Sequence, residues 1–423
     1  MASSADDWPR WMGPRRDNTW NEKNLLQSFP AGGPKILWRS TIANGFAGPA
    51  VAEGRIVVGD FVTDGDFRLA NFERLALKGT ERVLCLDEIS GKILWQHELP
   101  IEYSISYPAG PRCTPIIENG KVYTLGAEGN LFCFSLADGK ILWSKDLKQE
   151  YKTTAALWGY AAHPLIDGEN LITLAGGPGS HVVALNKNTG TEVWRSLTAV
   201  EQGYSPPTII QAGGVRQLIL LRPDAVSSVN PDNGTEYWSL PYEADSGSII
   251  MSPIQFGDYL YAAGYARKSI LIKLNSDKPA AEVVWANRAG DTISPVNVQP
   301  FLDRDSQILY GMDQNGDLRA TQLPEGKLLW ATSQPVGKRR AANATAFLVR
   351  AGDNYWFFND QGELVIAKLN STGFEEIDRV KVIEPTNVAF GRDVAWSMPA
   401  FANGHAYIRN DKEIICVQLS VEK

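Results

Sequence analysis

The sequence predicts an all-β fold, an eight-bladed β-propeller of four-stranded antiparallel blades. Two observations predict it. A unit consisting of an apolar run, an Asx or Gly turn and a short strand ending in Trp recurs along the chain, and the first and last copies are incomplete in complementary ways. Self-similarity at a period of about 40 to 50 residues is typical of propellers, in which each repeat supplies one blade.

The repeat is recognised by its final tryptophan. Clear copies read "VLCLDEISGKILW", "LFCFSLADGKILW" and "VVALNKNTGTEVW", and a degenerate copy has Ile in place of Trp. The last residues of successive units are Trp38, Trp95, Trp143, Trp194, Trp238, Trp285, Trp330 and Ile377. Their spacing runs from 44 residues (194 to 238) to 57 residues (38 to 95). We expect the large rings to pack against neighbouring blades, and Gly in each turn to take the φ > 0 position.

A second half-unit precedes each copy and completes the blade. It consists of a Pro or small residue, an apolar run, a Gly turn and another apolar run, as in "TPIIENGKVYTLG" (Thr114–Gly126). Each unit therefore supplies strands A, B, C and D in order. The C-terminal "MPAFANGHAYIRNDKEIICVQL" supplies only A, B and C, and the N-terminal "PKILW" supplies only a D strand. We expect the N-terminal strand to complete the C-terminal blade, which closes the ring without a free edge.

The domain organisation follows from these units. We expect residues 1–34 to form an N-terminal extension that packs on the propeller, and residues 35–423 to form a single propeller domain. Residues 60–81 interrupt the first blade between strands B and C as an insertion. The apolar spacing of "FRLANFERLAL" within it favours a short surface helix.

Composition excludes several classes of protein. The chain has 423 residues, a net charge of −7 and 44% hydrophobic residues, so it has the composition of a globular protein without the basic face of a nucleic-acid binder. It contains no apolar stretch long enough for a membrane span, and the N-terminus has no signal-peptide h-region. The four cysteines form no CxxC pair. Cys85, Cys133 and Cys416 occupy a slot before the Trp that holds Ala or Ser in other units, which predicts tight packing; Cys113 is expected to be buried as well.

The repeats resemble a known family. "GKILW" after an apolar strand and an Asx/Gly turn resembles the tryptophan-docking repeat of propellers of the pyrroloquinoline-quinone (PQQ) type. "DWPRWMGPRRDNTW" followed by "GGPKILW" resembles the start of secreted PQQ-like proteins of planctomycete bacteria. The resemblance extends from Trp8 to Leu419. It implies a periplasmic or secreted protein, in a superfamily that contains quinoprotein alcohol dehydrogenases and also non-enzymatic, BamB-like proteins of outer-membrane assembly.

The residues favour the non-enzymatic branch. The resemblance implies that an active quinoprotein would hold PQQ between a Trp and a vicinal disulfide, with Ca²⁺ held by Glu, Asn and Asp, but this chain has no adjacent cysteines. "DQNGD" (Asp313–Asp317) resembles the start of a calcium loop. Position 12 of that loop would be Pro324 rather than Glu, so a B–C turn is expected. The four histidines are scattered. No catalytic residue and no metal ligand is predicted.

A ligand is expected where the repeats differ. The connections from D to A are longer and more varied than the other turns, and a meander places them on the same face as the B–C turns. The candidate funnel ring is Tyr107, Arg112, Trp158, Tyr160, His163, Tyr204, Ser205, Ser252, Asn297, Gln299, Arg340, Asn343, Arg392 and Trp396. This mixture suits a sugar, a peptide or an anionic cofactor. The alternative is that these groups bond one another and water, and so fill the channel.

The sequence therefore predicts a binding or assembly scaffold without chemistry of its own. We expect a monomer that binds a protein, a small molecule or a glycan at the funnel face, with no nucleic-acid partner and no cofactor. Two alternatives stay open. One is a dehydrogenase with an atypical PQQ and Ca²⁺ site, because PQQ is a tricarboxylate and the ring contains Arg112, Arg392, Trp158 and Trp396. The other is a carbohydrate-binding propeller.

Overall fold

The protein is an eight-bladed β-propeller, as predicted. The computed structural model describes residues 6–68, 72–244, 247, 249–265, 268–286, 299–337 and 340–421. Within them lie eight four-stranded sheets and one two-stranded sheet. In every four-stranded sheet the strands follow the order A, B, C and D. The ladders between neighbouring strands are antiparallel, as in blade one, where Ala50 pairs with Val57.

The strands follow the repeats. Blade one consists of β2 (Ala50–Ala52), β3 (Arg55–Val62), β4 (Leu75–Asp87) and β5 (Ile93–Ile105), and blade two of β6 (Ile116–Glu118), β7 (Lys121–Leu125), β8 (Asn130–Ser135) and β9 (Ile141–Asp146). Blade three consists of β10 (Leu165–Asp167), β11 (Asn170–Leu174), β12 (Val182–Asn186) and β13 (Glu192–Ser196). Blade four consists of β14 (Thr208–Ala212), β15 (Val215–Leu221), β16 (Ala225–Val229) and β17 (Glu236–Pro241).

The remaining blades have the same order. Blade five consists of β18 (Ile254–Phe256), β19 (Tyr259–Gly264), β20 (Lys268–Leu274) and β21 (Ala281–Ala286). Blade six consists of β22 (Phe301–Asp303), β23 (Ile308–Met312), β24 (Leu318–Gln322) and β25 (Lys327–Thr332). Blade seven consists of β26 (Ala346–Ala351), β27 (Asn354–Asn359), β28 (Glu363–Asn370) and β29 (Gly373–Lys381). Blade eight consists of β32 (Ala400–Ala402), β33 (His405–Arg409), β34 (Glu413–Gln418) and β1 (Ile36–Thr41). Between blades lie the helix α1 (Leu147–Tyr151), a 3-10 turn (Gln334–Val336) and the hairpin β30 (Asn387–Ala389) and β31 (Arg392–Val394).

Blade eight is closed by the N-terminal strand, as predicted. Strand β1 pairs with β34 in antiparallel register, with Trp38 opposite Cys416 and Ser40 opposite Ile414. The two ends of the chain thus supply one sheet, because the C-terminal segment has no D strand of its own.

The chain divides into two compact units. The first contains residues 1–144, 334–339 and 345–423, and the second contains residues 145–333 and 340–344. Blades one, seven and eight and most of blade two belong to the first unit. Blades three to six belong to the second.

The recurring tryptophans join successive blades within each unit. The indole N–H donates to a carbonyl in the C–D turn of the next blade in four pairs, Trp38 to Glu88 (3.1 Å), Trp95 to Leu136 (2.9 Å), Trp194 to Pro231 (3.1 Å) and Trp285 to Pro324 (2.9 Å). Trp238 differs, because its indole N–H donates to Gln217 of its own blade at 2.8 Å. The predicted packing against neighbouring blades is confirmed for these four, and burial of each ring contributes roughly 25 cal/mol per Å².

In several blades the residue opposite the tryptophan is small, although Leu271 lies opposite Trp285 in blade five. Trp95 lies opposite Cys85, Trp194 opposite Ala184 and Trp330 opposite Ala320. A bulge follows each of these pairs, at the residue just before the Trp.

The four cysteines are free thiols buried in the fold, as predicted for the three in that slot and for Cys113. Burial raises the pKa of Cys85 and of Cys416 to about 12 and that of Cys133 to about 11, so these thiols stay protonated at neutral pH. Cys113 is buried too, with 3% of its surface exposed. Each cysteine therefore packs as a small apolar side chain.

Blade seven departs from the pattern. The repeat spacing puts Ile377 in the tryptophan position, but the ladder makes Ile377 the bulged residue and sets Asp378 opposite Ile366. This assignment was wrong by one residue, because the C–D turn of blade seven is a tight hairpin with Asn370 opposite Gly373. The Asp378 carboxylate accepts a hydrogen bond from the backbone N–H of Phe29 at 2.6 Å.

Blade one is longer than the others. The predicted helix is absent from the described residues of 60–81: β3 continues to Val62, β4 begins at Leu75, and β4 and β5 have 13 residues each. The Phe61 ring stacks on Tyr103 at 4.2 Å between ring centroids. Pairing with β5 thus gives residues 75–81 an extended conformation, although the apolar spacing of the sequence favours a helix; residues 69–71 of the predicted helix lie outside the described residues.

Residues before β1 contact blades of the first unit. Trp8 and Trp20 are buried, with 1% and 0% of their surfaces exposed. Trp8 bridges to Val51 of blade one, and the Trp20 ring lies 5.4 Å from that of Phe401 in blade eight. The N–H of Trp20 donates to the carbonyl of Arg350 at 2.8 Å.

Candidate functional site

The predicted ring residues lie in the connections that lead into A strands, and the two units contribute different groups. The first unit contributes Tyr107, Arg112, Arg392 and Trp396. The second contributes Trp158, Tyr160, His163, Tyr204, Ser205, Ser252, Gln299, Arg340 and Asn343. Asn297 lies outside the described residues.

Arg112 holds the connection between β5 and β6 in shape. Its guanidinium donates to the carbonyls of Gly110, Ser106 and Tyr107 at 2.6, 2.8 and 2.7 Å. It also lies 5.3 Å from the centre of the Phe46 ring. Tyr107 has a left-handed backbone with φ 50°, which these bonds stabilise. Much of the hydrogen-bonding capacity of this cation is therefore used by its own loop.

Three aromatic rings form a cluster in the first unit. The Trp396 ring lies 6.2 Å from Tyr107 and 6.2 Å from Phe390, at the tip of the β30–β31 hairpin. Phe390 has 43% of its surface exposed, and its backbone is also left-handed with φ 50°. We call Tyr107, Phe390 and Trp396 the aromatic patch. It is a surface suited to contact with an apolar or planar group.

Arg392 is bonded to a buried carboxylate. Its guanidinium lies 3.0 Å from the Asp360 carboxylate, which is 2% exposed, and the N–H of Ala395 donates to the carbonyl of Asp360 at 2.8 Å. Burial raises the pKa of Asp360, while Arg392 opposes that rise. The pair fixes the β30–β31 hairpin to the B–C turn of blade seven.

Arg340 repeats this arrangement in the second unit. It lies 2.9 Å from the buried Asp317 carboxylate, although its own side chain is 72% exposed. Nearby, the N–H of Asn343 donates to the carbonyl of Gln314 at 2.9 Å. "DQNGD" forms the predicted B–C turn, since the N–H of Gly316 donates to the carbonyl of Asp313 at 3.0 Å.

The aromatic ring residues of the second unit bond to each other and to the backbone. The ring of Trp158 lies 5.4 Å from that of Tyr204, whose hydroxyl accepts the backbone N–H of Trp158 at 3.3 Å. The Tyr160 hydroxyl donates to the carbonyl of Ala175 at 3.2 Å. Tyr160 is 1% exposed, so it contributes to packing rather than to an open surface.

The small polar ring residues of this unit are buried. Ser205 donates through Oγ to the carbonyl of Met251 at 2.6 Å. Gln299 accepts from the N–H of Ser252 at 2.7 Å and donates to its carbonyl at 3.0 Å. His163 is 8% exposed. These bonds connect one blade to the next within the unit.

Sequence reasoning missed the aspartates near strand B that pair with arginines, such as Asp360 with Arg392 and Asp313 with Arg319. Asp360 and Asp313 each follow the last residue of a B strand, and Asp60 lies within one. Asp60 accepts from Arg82 in a fork of 2.8 and 2.6 Å. An aspartate at the end of strand B in several repeats was the signal that could have found them.

Sequence reasoning also missed a buried arginine in blade eight. Arg409 is 1% exposed and donates to the carbonyls of Gly59 and Ala43, each at 2.6 Å. A Cβ on Gly45 would lie 2.8 Å from the Arg409 guanidinium, which explains why glycine occupies that position. Burial lowers the pKa of Arg409, and Asp411 opposes that change.

A cavity of about 650 Å³ lies away from the ring. It is lined by residues of the extended β3 and β4 strands and their loop, including Thr63 and Lys78, and by Glu102 of β5. Its lining includes none of the predicted ring residues. Lys78 and Glu102 lie 3.8 Å apart across it, both well exposed to solvent.

Comparison with known proteins now assigns the family. The profile of the family described as outer membrane protein assembly factor BamB matches residues 79–290 and 180–420, which together span 79–420. The chain belongs to the BamB family. This agrees with the PQQ-like repeats seen in the sequence.

Individual relatives of this family member are distant. BamB of Yersinia pestis is 24% identical over 201 residues, which is 45% of this chain and less than half, 46%, of that protein. The crystal structure of BamB from Moraxella catarrhalis matches with a TM-score of 0.58 at 16% identity, over 91% of this chain and 99% of that one. The quinohemoprotein alcohol dehydrogenase of Comamonas testosteroni matches with a TM-score of 0.63 at 12% identity, over 99% and 81%. These structural matches show a shared fold.

The donor groups of this BamB family member do not fit the quinone site that the resemblance implied. Its four cysteines are separate buried thiols, so no vicinal disulfide can form. The described residues contain no group of three or more His, Cys, Asp or Glu side chains placed to hold a metal ion. Arg112 and Arg392, the candidates for pairing with the PQQ carboxylates, are bonded to carbonyls and to Asp360. No step through a quinone follows from this site.

Among the described residues, no helix has the length and apolar character needed to cross a bilayer.

Proposed function

We propose that the chain is a non-catalytic propeller that binds a protein partner and serves as an assembly scaffold, in the cell envelope or after secretion. The observation that carries the proposal is the internal use of the ring cations. Arg112 donates to three carbonyls, Arg392 pairs with a buried carboxylate, and so does Arg340. A small anionic substrate would have to break these bonds and leave a carboxylate buried without its partner.

The family supports the same role. The matched profile and the Yersinia pestis relative are both described as outer membrane protein assembly factors. We extend that description to this chain as a proposal, which assigns it protein partners and no cofactor.

The aromatic patch is the surface we propose for the partner. Phe390 is 43% exposed beside the Trp396 and Tyr107 rings, and the hairpin that carries it is fixed by the Arg392–Asp360 pair. Exposed aromatic side chains on a rigid support are enriched at the centres of protein interfaces.

Site-specific photocrosslinking in cells of the source organism tests this function. Replacing Phe390 with the photoreactive p-benzoylphenylalanine keeps an aromatic side chain at the patch. We expect one dominant covalent adduct, identified by mass spectrometry as a cell-envelope protein. The control is the same substitution at Ile89, which is 88% exposed in the C–D turn of blade one and in the same unit. Absence of an adduct at position 390, or the same adducts at both positions, would contradict the proposal.

A quinoprotein dehydrogenase is the second candidate. The observation in its favour is the match to the Comamonas testosteroni enzyme over 99% of this chain. The likeness at 12% identity concerns the fold, and the donor groups described above do not support quinone binding. A quinone-binding measurement separates the two functions.

A further inference from the structure

The segment before β1 contains two arginines with unsatisfied N–H groups. In the described part of the chain, Nε of Arg10 and Nη2 of Arg16 are buried and have no hydrogen-bond acceptor. Buried donors are almost always paired in folded proteins, so these two N–H groups can donate to a hydrogen-bond partner from outside the chain.

This segment is held against the first and second blades. Trp8 bridges to Val51, and the carbonyl of Pro9 accepts from the N–H of Ile117 at 2.9 Å. Arg10 itself lies 3.1 Å from the Glu118 carboxylate. These contacts fix the position of Arg10 beside the A–B turn of blade two.

Two successive turns lead from Arg10 to Arg16, and the N–H of Asn18 then donates back to the carbonyl of Met12 at 3.1 Å. The N–H of Gly13 donates to the carbonyl of Arg10 at 3.0 Å, and the N–H of Arg16 donates to the carbonyl of Gly13 at 3.2 Å. The Trp8 ring packs against Gly13, where a Cβ would lie 2.9 Å from it. The turns are therefore shaped by tight packing.

The backbone of these turns is strained. Met12, Arg16 and Asn18 have φ of 64°, 56° and 56°, in the left-handed region that residues other than glycine seldom adopt. Strain of this kind persists where the surrounding structure enforces it, and it is concentrated at ligand sites.

The charges of the two arginines are not balanced. Glu118 neutralises Arg10, whereas Arg16 forms no ion pair with any residue of the described chain. Burial lowers the pKa of Arg16 to about 10, and the positive charge of Arg10 acts in the same direction. The adjacent Arg15 differs, because it pairs with Asp6 at 3.2 Å and with Asp17 at 3.5 Å.

We propose that Arg10 and Arg16 form a binding site for an oxyanion, a carboxylate or phosphate group, that supplies the acceptors these two N–H groups lack. Guanidinium N–H groups match the oxygens of both anions in geometry and charge. The site lies on the N-terminal segment, apart from the ring residues. It goes beyond the scaffold function and does not depend on it.

Titration of the full chain with inorganic phosphate tests the proposal, with sodium chloride at equal ionic strength as the reference. We expect a saturable rise in the unfolding temperature of about 2 °C or more with phosphate or with acetate. A response to phosphate alone identifies a phosphate site, and a response to acetate alone identifies a carboxylate site. R16Q should weaken anion binding about tenfold or more, because it removes the unpaired guanidinium. R15Q is the matched control, since it removes an adjacent arginine that is already paired, and it should change the affinity by less than about twofold.

Three outcomes would contradict the oxyanion site. The proposal fails if neither anion stabilises the protein more than chloride, if R16Q responds like the wild type, or if R15Q loses as much affinity as R16Q. Phosphorus-31 line broadening with the wild-type protein measures binding directly and decides the question even if R16Q does not fold. No broadening by the wild type at saturating protein, together with no stabilisation by acetate, would also overturn the site.

Discussion

At the residue scale, glycine in the C–D turns has two structural roles. Gly91, Gly139 and Gly234 have φ of 68°, 72° and 74°, which suits a tight turn. A Cβ at any of them would also lie 2.5 to 2.7 Å from the tryptophan of the preceding blade. The sequence predicted the first role. The second role, making room for the tryptophan ring of the preceding blade, depends on the packing of one blade on the next.

Substitution of Gly139 by Ala separates these roles. We expect G139A to lower the free energy of unfolding by about 3 kcal/mol or more, since it adds a clash with the Trp95 ring to the backbone strain. G120A is the matched control in the same blade, because Gly120 has φ 71° and a Cβ added there would have no atom within 4 Å. Its free energy of unfolding should fall by about 1 to 2 kcal/mol, from backbone strain alone. Equal losses in urea unfolding would show that ring contact adds nothing.

His181 is a buried histidine for which the sequence predicted no role. It is fully buried, and neither ring nitrogen has a hydrogen-bond partner among the described residues. Burial lowers its pKa from 6.5 to about 3, and the positive charge of Arg222 adds to the effect. The folded protein therefore keeps this imidazole neutral, whereas the unfolded chain protonates it below pH 6.5.

His181 makes the protein less stable at acidic pH. The unfolded state binds more protons than the folded state between pH 6.5 and about 3, so stability is complete above pH 6.5 and falls with the pH below it. At pH 5 the loss from this group is roughly 2 kcal/mol, at about 1.4 kcal/mol per pH unit. H181Q should reduce the difference in urea midpoint between pH 7 and pH 5. An unchanged difference in H181Q would exclude His181 as its source.

At the element scale, strands could be predicted wherever the repeat is regular. The tryptophan and the Gly turn locate C and D, and the preceding apolar runs locate A and B. The prediction failed in two places where tertiary pairing decides. Pairing with β5 makes residues 75–81 strand rather than helix, and the tight turn between Asn370 and Gly373 moves Asp378 into the tryptophan position.

The pairing of β1 with β34 predicts the behaviour of a circular permutant. The N–H of Gln418 donates to the carbonyl of Lys35 at 2.9 Å, so the end of β34 lies beside the start of β1. A chain that begins at Ile42 and joins Lys423 to Met1 by a flexible linker should fold, because β1 still completes blade eight. The same chain without residues 1–41 should aggregate, since β34 then has an open edge. Size-exclusion chromatography and far-ultraviolet circular dichroism distinguish the two. Equal yields of folded monomer would contradict the role of β1.

At the scale of the whole molecule, the positions of the ring residues could be predicted but their bonding could not. The varied D–A connections identified Arg112, Arg340 and Arg392 as unusual. Their acceptors are loop carbonyls and the aspartates of B–C turns, such as Asp360, which lies 32 residues before Arg392. A turn aspartate is common in any β protein, so only the packing of one repeat on the next shows that it neutralises the arginine.

The paired cations also support the proposed scaffold function. A quinoprotein needs free positive groups for the quinone carboxylates and oxygen ligands for calcium. In this chain Arg392 already forms an ion pair with Asp360, and Arg340 with Asp317. These ion pairs use cations that the quinone carboxylates would require, which is consistent with the proposed binding scaffold.

The most direct test of this account is the stoichiometry of quinone binding by the full chain. The protein is incubated with PQQ and Ca²⁺ and desalted. Quinone absorbance per mole of protein is then measured, together with dye reduction in the presence of alcohols and sugars. We predict no retained quinone and no dye reduction above that of a heat-unfolded sample. One retained quinone per chain, with turnover of an alcohol or a sugar, would contradict the scaffold function.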